Sequence, residues 1–124
     1  MELETTTRNT LADALGALPD SGGYLKFVTD ADNQVAKCNC STDAFASASS
    51  GTIAANSISD DSDCDGGTID HAELYDSTDT LICSFTVTVS GGGGEIIVSS
   101  IDPAAGETFS VTSLSITVPA GSIT

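Results

Sequence analysis

Apolar positions recur along this chain with two different periods, and the change of period falls at a double glycine. From Thr5 to Leu18, Leu11, Ala14, Leu15 and Leu18 fall on one face of a helical repeat, and Pro19, Gly22 and Gly23 end it. The spacing predicts an amphipathic N-terminal helix, with Thr7 or a neighbour as its cap. A helix this short is marginal alone in water, so its leucine stripe needs a surface: its own domain, a sister subunit or a partner.

After Gly23 the period drops to two. Leu25 and Phe27 share one face of a strand over Tyr24 to Thr29, Asp30-Ala31-Asp32-Asn33 reads as a turn, and Ala36, Cys38 and Cys40 continue an inward face, which makes a hairpin. Cys40 to Asp63 is rich in Ala, Ser and Gly, with Ile53 and Ile58 as anchors, and predicts short strands joined by loops. Ile69 to Asp76 and Leu81 to Val89 frame the turn Ser77-Thr78-Asp79. In the second run Leu81, Cys83, Phe85, Val87 and Val89 are expected inward, with Ile82, Ser84, Thr86 and Thr88 outward. Gly91 to Gly94 predicts a flexible tip before a strand over Glu95 to Ile101. Near the end, Phe109 and Val111 lie on one parity while Leu114, Ile116 and Val118 lie on the other. That predicts a bulge near Thr112 or Ser113, or a strand crossing between sheets. The expected fold is mainly β: a sandwich, jelly-roll-like or Greek-key, of about seven or eight short strands. A helical arm over residues 1–22 precedes a sandwich domain over 23–124.

Composition sharpens this picture. Aromatics are 5% of 124 residues with no Trp, so the core must be thin and built from small aliphatics and four Phe. Ser and Thr number 33, many alternating with β-branched residues as on solvated strand faces. Charge narrows function. The net charge is -15, the only cations are Arg8, Lys26 and Lys37, and Cys38 to Thr124 holds twelve carboxylates without a lysine or arginine. Such a surface repels phosphate backbones and anionic membranes, and it leaves an enzyme few means of stabilising developing negative charge. Binding or structure is the expectation, with neither catalysis nor nucleic acid nor membrane as partner. The acidic start, Met1-Glu2-Leu3-Glu4, and the lack of a long apolar window predict a soluble chain made in the cytosol, whose four cysteines need not pair.

Three constellations bear on chemistry. Asp61-Ser62-Asp63-Cys64-Asp65-Gly66 matches the first half of a calcium loop, but the position due the bidentate carboxylate holds Ala72, with Glu73 one place late. A calcium-dependent adhesion or carbohydrate-binding module, with Asp61, Asp63 and Asp65 on the ion, is therefore the alternative reading. His71, the only histidine, points outward with Glu73 if Ala72 and Leu74 face inward, which makes it a solvated residue. A zinc site joining it to Cys38, Cys40, Cys64 and Cys83 lacks the usual cysteine spacing. No nucleophile elbow surrounds a serine, and Gly91 to Gly94 lacks the Lys and helix of a phosphate loop, so no catalytic, cofactor or metal residues are assigned.

The succession of segments resembles small tailed-phage proteins that decorate, or cement, the capsid. The resembling pieces are Arg8-Asn9-Thr10-Leu11-Ala12-Asp13-Ala14-Leu15, Ser41-Thr42-Asp43-Ala44-Phe45 and Asn56-Ser57-Ile58-Ser59-Asp60-Asp61-Ser62. The turn Asp76-Ser77-Thr78-Asp79-Thr80 and the closing Ser113-Leu114-Ser115-Ile116-Thr117-Val118-Pro119-Ala120-Gly121 complete them. The chain departs from that pattern in its cysteines and in Asp43, where proline is more usual. The resemblance implies a β-rich virion protein on the outer capsid surface, present in the host cytoplasm during assembly. It would bind the major capsid protein as a homo-oligomer, a trimer by preference, without catalytic residues or cofactors. Arg8, Leu11, Leu15 and Leu18 are the candidate capsid or oligomer interface.

Overall fold

The computed structural model describes residues 1–121; the end of the expected sandwich domain, residues 122–124, lies outside them. One helix, α1 (Thr5–Ala17), is followed by β1 (Tyr24–Val28), β2 (Gln34–Asn39), β3 (Thr52–Ala54), β4 (His71–Tyr75), β5 (Leu81–Phe85), β6 (Val87–Val89), β7 (Ile96–Val98) and β8 (Val111–Thr117). The strands form two four-stranded sheets, ordered β2-β1-β4-β5 and β3-β8-β7-β6. The protein is thus a mainly β sandwich behind an N-terminal helix.

The core lies between the sheets. Leu25 and Phe27 of β1, Val35, Ala36 and Cys38 of β2, and Ala72 and Leu74 of β4 meet Ile53, Ile96, Val98 and Leu114 of the second sheet. The Phe27 and Phe109 rings, both fully buried, lie 4.7 Å apart and tilted by 59°, inside the range for favourable aromatic pairs. A bulge between Phe27 and Val28 lets Val35 and Ala36, adjacent in sequence, both be buried.

The parity change near the C-terminus is resolved by a bulge. Ile97 pairs with Ser113 but Val98 with Val111, so Thr112 is the extra residue that returns Leu114 to the core. A crossing between sheets occurs elsewhere, at Thr86, where the run from Leu81 to Val89 leaves the first sheet as β5 and enters the second as β6. Phe85 and Val87, which flank that passage, keep the expected inward parity and are buried. Leu81 does not, because a register shift between Leu74 and Tyr75 sets it opposite outward Tyr75, and it is 49% exposed, as Val89 at the end of β6 is 42% exposed.

Of the surfaces open to the leucine stripe, its own domain is not the one it takes: α1 docks on the sandwich by another face. Its buried residues are Ala12 and Gly16, while Leu11 and Leu18 are exposed and Leu15 is half-buried. Small residues win because they let the helix come close: a Cβ on Gly16 would stand 2.9 Å from Ile53 Cδ1 and 3.2 Å from Phe45 Cβ. Main-chain amides hold the helix at that distance. Asn9 Oδ1 accepts from Gly51 N at 2.8 Å, Asp13 Oδ1 from Ala48 N at 2.7 Å and Asp20 Oδ1 from Ala44 N at 2.9 Å. Glu4, not Thr7, is the N-cap, and no side chain caps the first turn.

The four glycines have a structural task beyond that of a tip. β6 and β7 are adjacent and parallel, with Val87 opposite Ile96, although only residues 90–95 connect them. Parallel neighbours ordinarily need a dozen or more connecting residues. The short route exists because the chain folds tightly back over Thr88, whose Oγ1 accepts from Gly94 N at 2.9 Å. A Cβ on Gly92 would stand 2.5 Å from Thr88 Cβ. Gly92→Ala is therefore expected to destabilise the fold by about 1–3 kcal/mol, as overpacking does. Gly93→Ala, with nothing within 4 Å of its Cβ but a φ of +78°, should cost only about 1–2 kcal/mol for its backbone. Urea denaturation of both variants checks the order.

Candidate functional site on the outer face of the first sheet

The antiparallel registers fix which side chains share the outer face. Tyr24 lies opposite Tyr75, Lys26 opposite Glu73 and Val28 opposite His71, while on the other side of β1 Lys26 faces Lys37. With Ala72 and Leu74 inward, His71, Glu73 and Tyr75 emerge together. One face thus gathers both tyrosines, both lysines and the only histidine.

Tyr24 and Tyr75 stack at 5.1 Å between centroids and 14° between planes, and Lys37 Nζ lies 4.2 Å from the Tyr24 centroid. Because β2 and β4 flank β1 on opposite sides, Lys37 and Tyr75 cover the two faces of the Tyr24 ring. The Tyr24 ring therefore offers no open face to a sugar. Tyr24 donates to Asp79 Oδ1 at 2.7 Å, and that bond to a carboxylate, with some burial, pushes its phenol up to about 12. Tyr75 donates to Glu73 Oε1 at 2.8 Å, which raises its own pKa and lowers that of Glu73.

His71 stands among carboxylates. Its Nδ1 is 2.9 Å from Asp70 Oδ2, and its Nε2 is 3.3 Å from Glu73 Oε2 and 4.0 Å from Asp32 Oδ1. Asp32 reaches it from the β1–β2 turn, closed by Thr29 N to Asn33 O at 2.9 Å. The hydrogen bond to Asp70, reinforced by Glu73, raises the His71 pKa above 6.5 despite partial desolvation. The outward parity of His71 and Glu73 is as expected, but the histidine is bound to acidic neighbours and only 27% of its side chain is exposed. The sequence carries half of the signal, His71 and Glu73 two apart on a strand. The other half, the pairing of β1 with β4 that brings Asp32 near, is non-local.

Other expected chemistry is dispersed. Among the described residues, Asp32, His71 and Glu73 form the one group of three or more His, Cys, Asp or Glu donor atoms lying within 4.8 Å of one another. Asp61, Asp63 and Asp65 do not converge. Asp61 accepts from Lys37 N at 2.9 Å and Asp63 N at 3.1 Å, and Asp65 from Gln34 Nε2 at 2.9 Å. The four cysteines are free; burial pushes Cys38 up to about 12 and Cys40 up to about 11, so both are thiols at neutral pH. Arg8 is engaged within the fold, its Nε donating to Val118 O at 2.9 Å and its Nη2 to Ser50 O at 3.0 Å. Leu11 is 46% and Leu18 54% exposed, and Leu15 is half-buried.

Compared with family models, with curated proteins and with solved structures, the chain matches none of them.

The His71 cluster makes stability depend on pH in a defined direction. A raised histidine pKa contributes stability that is complete below 6.5 and lost as pH rises through the folded value. A lowered Glu73 pKa contributes stability present above 4.5 and lost as pH falls through its folded value. The pair therefore contributes most between about pH 4.5 and 6.5. In the metal-free protein, NMR titration of the single imidazole should show a midpoint above 6.5 that falls in Glu73→Gln; a midpoint at or below 6.5 in the parent contradicts the arrangement.

Proposed function

We propose that this protein is a virion structural protein that decorates and stabilises the outer surface of an assembled phage capsid, bridging neighbouring copies of the major capsid protein. The observation that carries this reading is the rigidly mounted apolar stripe of α1. The helix is fastened to the sandwich by Asn9, Asp13 and Arg8, yet it turns Ala12 and Gly16 inward and leaves Leu11 and Leu18 in solvent. Exposed leucines on a fixed helix are a docking surface at low entropic cost, because the backbone is already ordered.

The charge distribution supports a repetitive protein partner. A net charge of -15 opposes nucleic acid and anionic lipid, and it keeps decorated particles apart. A capsid presents many identical sites. A homo-oligomer, with a trimer at a local threefold position, converts weak single contacts into strong attachment through effective concentration. Binding only the assembled lattice stabilises that lattice by mass action. A calcium-dependent adhesion or carbohydrate-binding module draws less support, since Asp61, Asp63 and Asp65 do not converge and Tyr24 lacks an open ring face.

Co-sedimentation with assembled heads tests the reading. The parent chain should sediment with heads in high copy number, and a Leu11→Ser/Leu18→Ser double variant should stay in the supernatant. As both leucines are exposed, each change should alter stability by no more than about 0.5 kcal/mol. A parent chain that remains in the supernatant overturns the proposal, and a double variant that still sediments overturns the assignment of the contact face.

A further inference from the structure

We infer that Asp32, His71 and Glu73 form a binding site for a divalent transition-metal ion of the zinc class, distinct from both metal readings of the sequence. The donor set is one imidazole nitrogen and two carboxylate oxygens, whose atoms lie within 4.8 Å of one another. Imidazole favours zinc and its neighbours over calcium and magnesium, which take oxygen ligands. Three protein ligands with a fourth position left to water is the pattern of open zinc sites.

The distances suit that ion. Ligands about 2.0–2.1 Å from a tetrahedral zinc lie about 3.3 Å from one another. His71 Nε2 and Glu73 Oε2 are already 3.3 Å apart. Asp32 Oδ1 stands 4.0 Å from Nε2, and its side chain is 77% exposed on a turn, so rotation can close the remaining gap. Glu73 and His71 are held by β4, and Asp32 comes from the β1–β2 turn, so the ion would tie turn to strand.

A second, independent feature is the outer partner on each strand ligand. Asp70 Oδ2 accepts from His71 Nδ1 at 2.9 Å, the carboxylate–histidine arrangement that sets the tautomer of metal-bound imidazoles and aims the Nε2 lone pair outward. Tyr75 donates to Glu73 Oε1, which leaves Oε2 as the oxygen facing Nε2. In the neutral tautomer with its proton on Nδ1, Nε2 turns its lone pair toward the same space as the Glu73 and Asp32 oxygens, a position that a proton fills below the raised pKa and a metal ion fills above it. Charge agrees as well. Asp32, Asp70 and Glu73 against Lys26, which acts on Glu73 from the adjacent strand, leave two negative charges for a divalent ion to neutralise.

The experiment is calorimetric titration of zinc chloride into the full, reduced chain after chelator treatment, with calcium chloride as comparison. One zinc per chain is expected, together with a melting midpoint that rises with zinc concentration. Calcium at the same concentrations should do neither. His71→Gln and Glu73→Gln should each weaken binding more than about tenfold, and Asp70→Asn about 10–100-fold at unchanged stoichiometry. Circular dichroism in chelator establishes that the variants fold. Should one of them not fold, the imidazole resonances of the parent give the same answer, since they must shift and saturate at one equivalent. Absence of stoichiometric zinc uptake, uptake retained in a folded His71→Gln, or unmoved imidazole resonances would each overturn the site.

Discussion

The interaction on which this fold depends is the acceptance of main-chain N–H groups by carboxylates. Asp13 takes Ala48 N, Asp20 takes Ala44 N, Asp61 takes Lys37 N and Asp63 N, Glu95 takes Thr86 N and Glu107 takes Ala104 N. Asp76 gathers Thr78 N, Thr80 N and the Thr78 hydroxyl, which hold it below its ordinary pKa. Strands of three to seven residues leave much of the backbone outside any ladder, and each amide there needs an acceptor. A surface ion pair contributes about 0–1 kcal/mol, whereas a hydrogen bond to a charged group contributes about 1.5–3 kcal/mol. A chain nearly without lysine and arginine therefore loses little, because its acidic side chains are employed as loop acceptors.

That division of labour explains where the few cations sit. Among the described residues the ion pairs all involve His71, so no lysine or arginine is spent on a close carboxylate. Arg8 closes the helix onto the carbonyls of Ser50 and Val118, oxygens that no carboxylate could serve. Lys37 lies over Tyr24, and Lys26 stands between Lys37 and Glu73. The like-charged neighbours Lys26 and Lys37 are tolerable because Glu73 flanks one and the tyrosine ring the other.

What the sequence discloses is what local periodicity can encode. The parity switch between Val111 and Leu114 is a local fact, and the bulge at Thr112 follows from it. The alternation of Ala72 and Leu74 likewise sets His71 and Glu73 outward. The docking face of α1 was illegible for a physical reason. Hydrophobic spacing marks the largest apolar side chains, whereas close approach to β3 selects the smallest, so Ala12 and Gly16 took the buried face from the leucines. The crossing at Thr86 and the parallel pairing of β6 with β7 left no periodic trace, since alternation continues unbroken from one sheet into the other. The candidate site was half visible: strand parity delivers His71 and Glu73, but Asp32 arrives only through the β1–β4 register, a contact between segments some forty residues apart.

Thin cores usually force small domains to use every large apolar side chain, and this one buries most of its own: Phe27, Phe45, Phe85 and Phe109 are all inside. Against that economy the exposure of Leu11 and Leu18 is informative. Turning them inward would require the helix to stand farther from Ile53 and Phe45, opening the sandwich edge and breaking the amide contacts of Asn9 and Asp13. The close packing that orders the helix is thus also what expels its leucines. The helix that carries them packs against β3, an edge strand of the second sheet, while the histidine and tyrosines emerge from the first. Two chemically unlike surfaces, one apolar and one titratable, are carried by different sheets, so a partner on the helix need not cover His71 or Asp32.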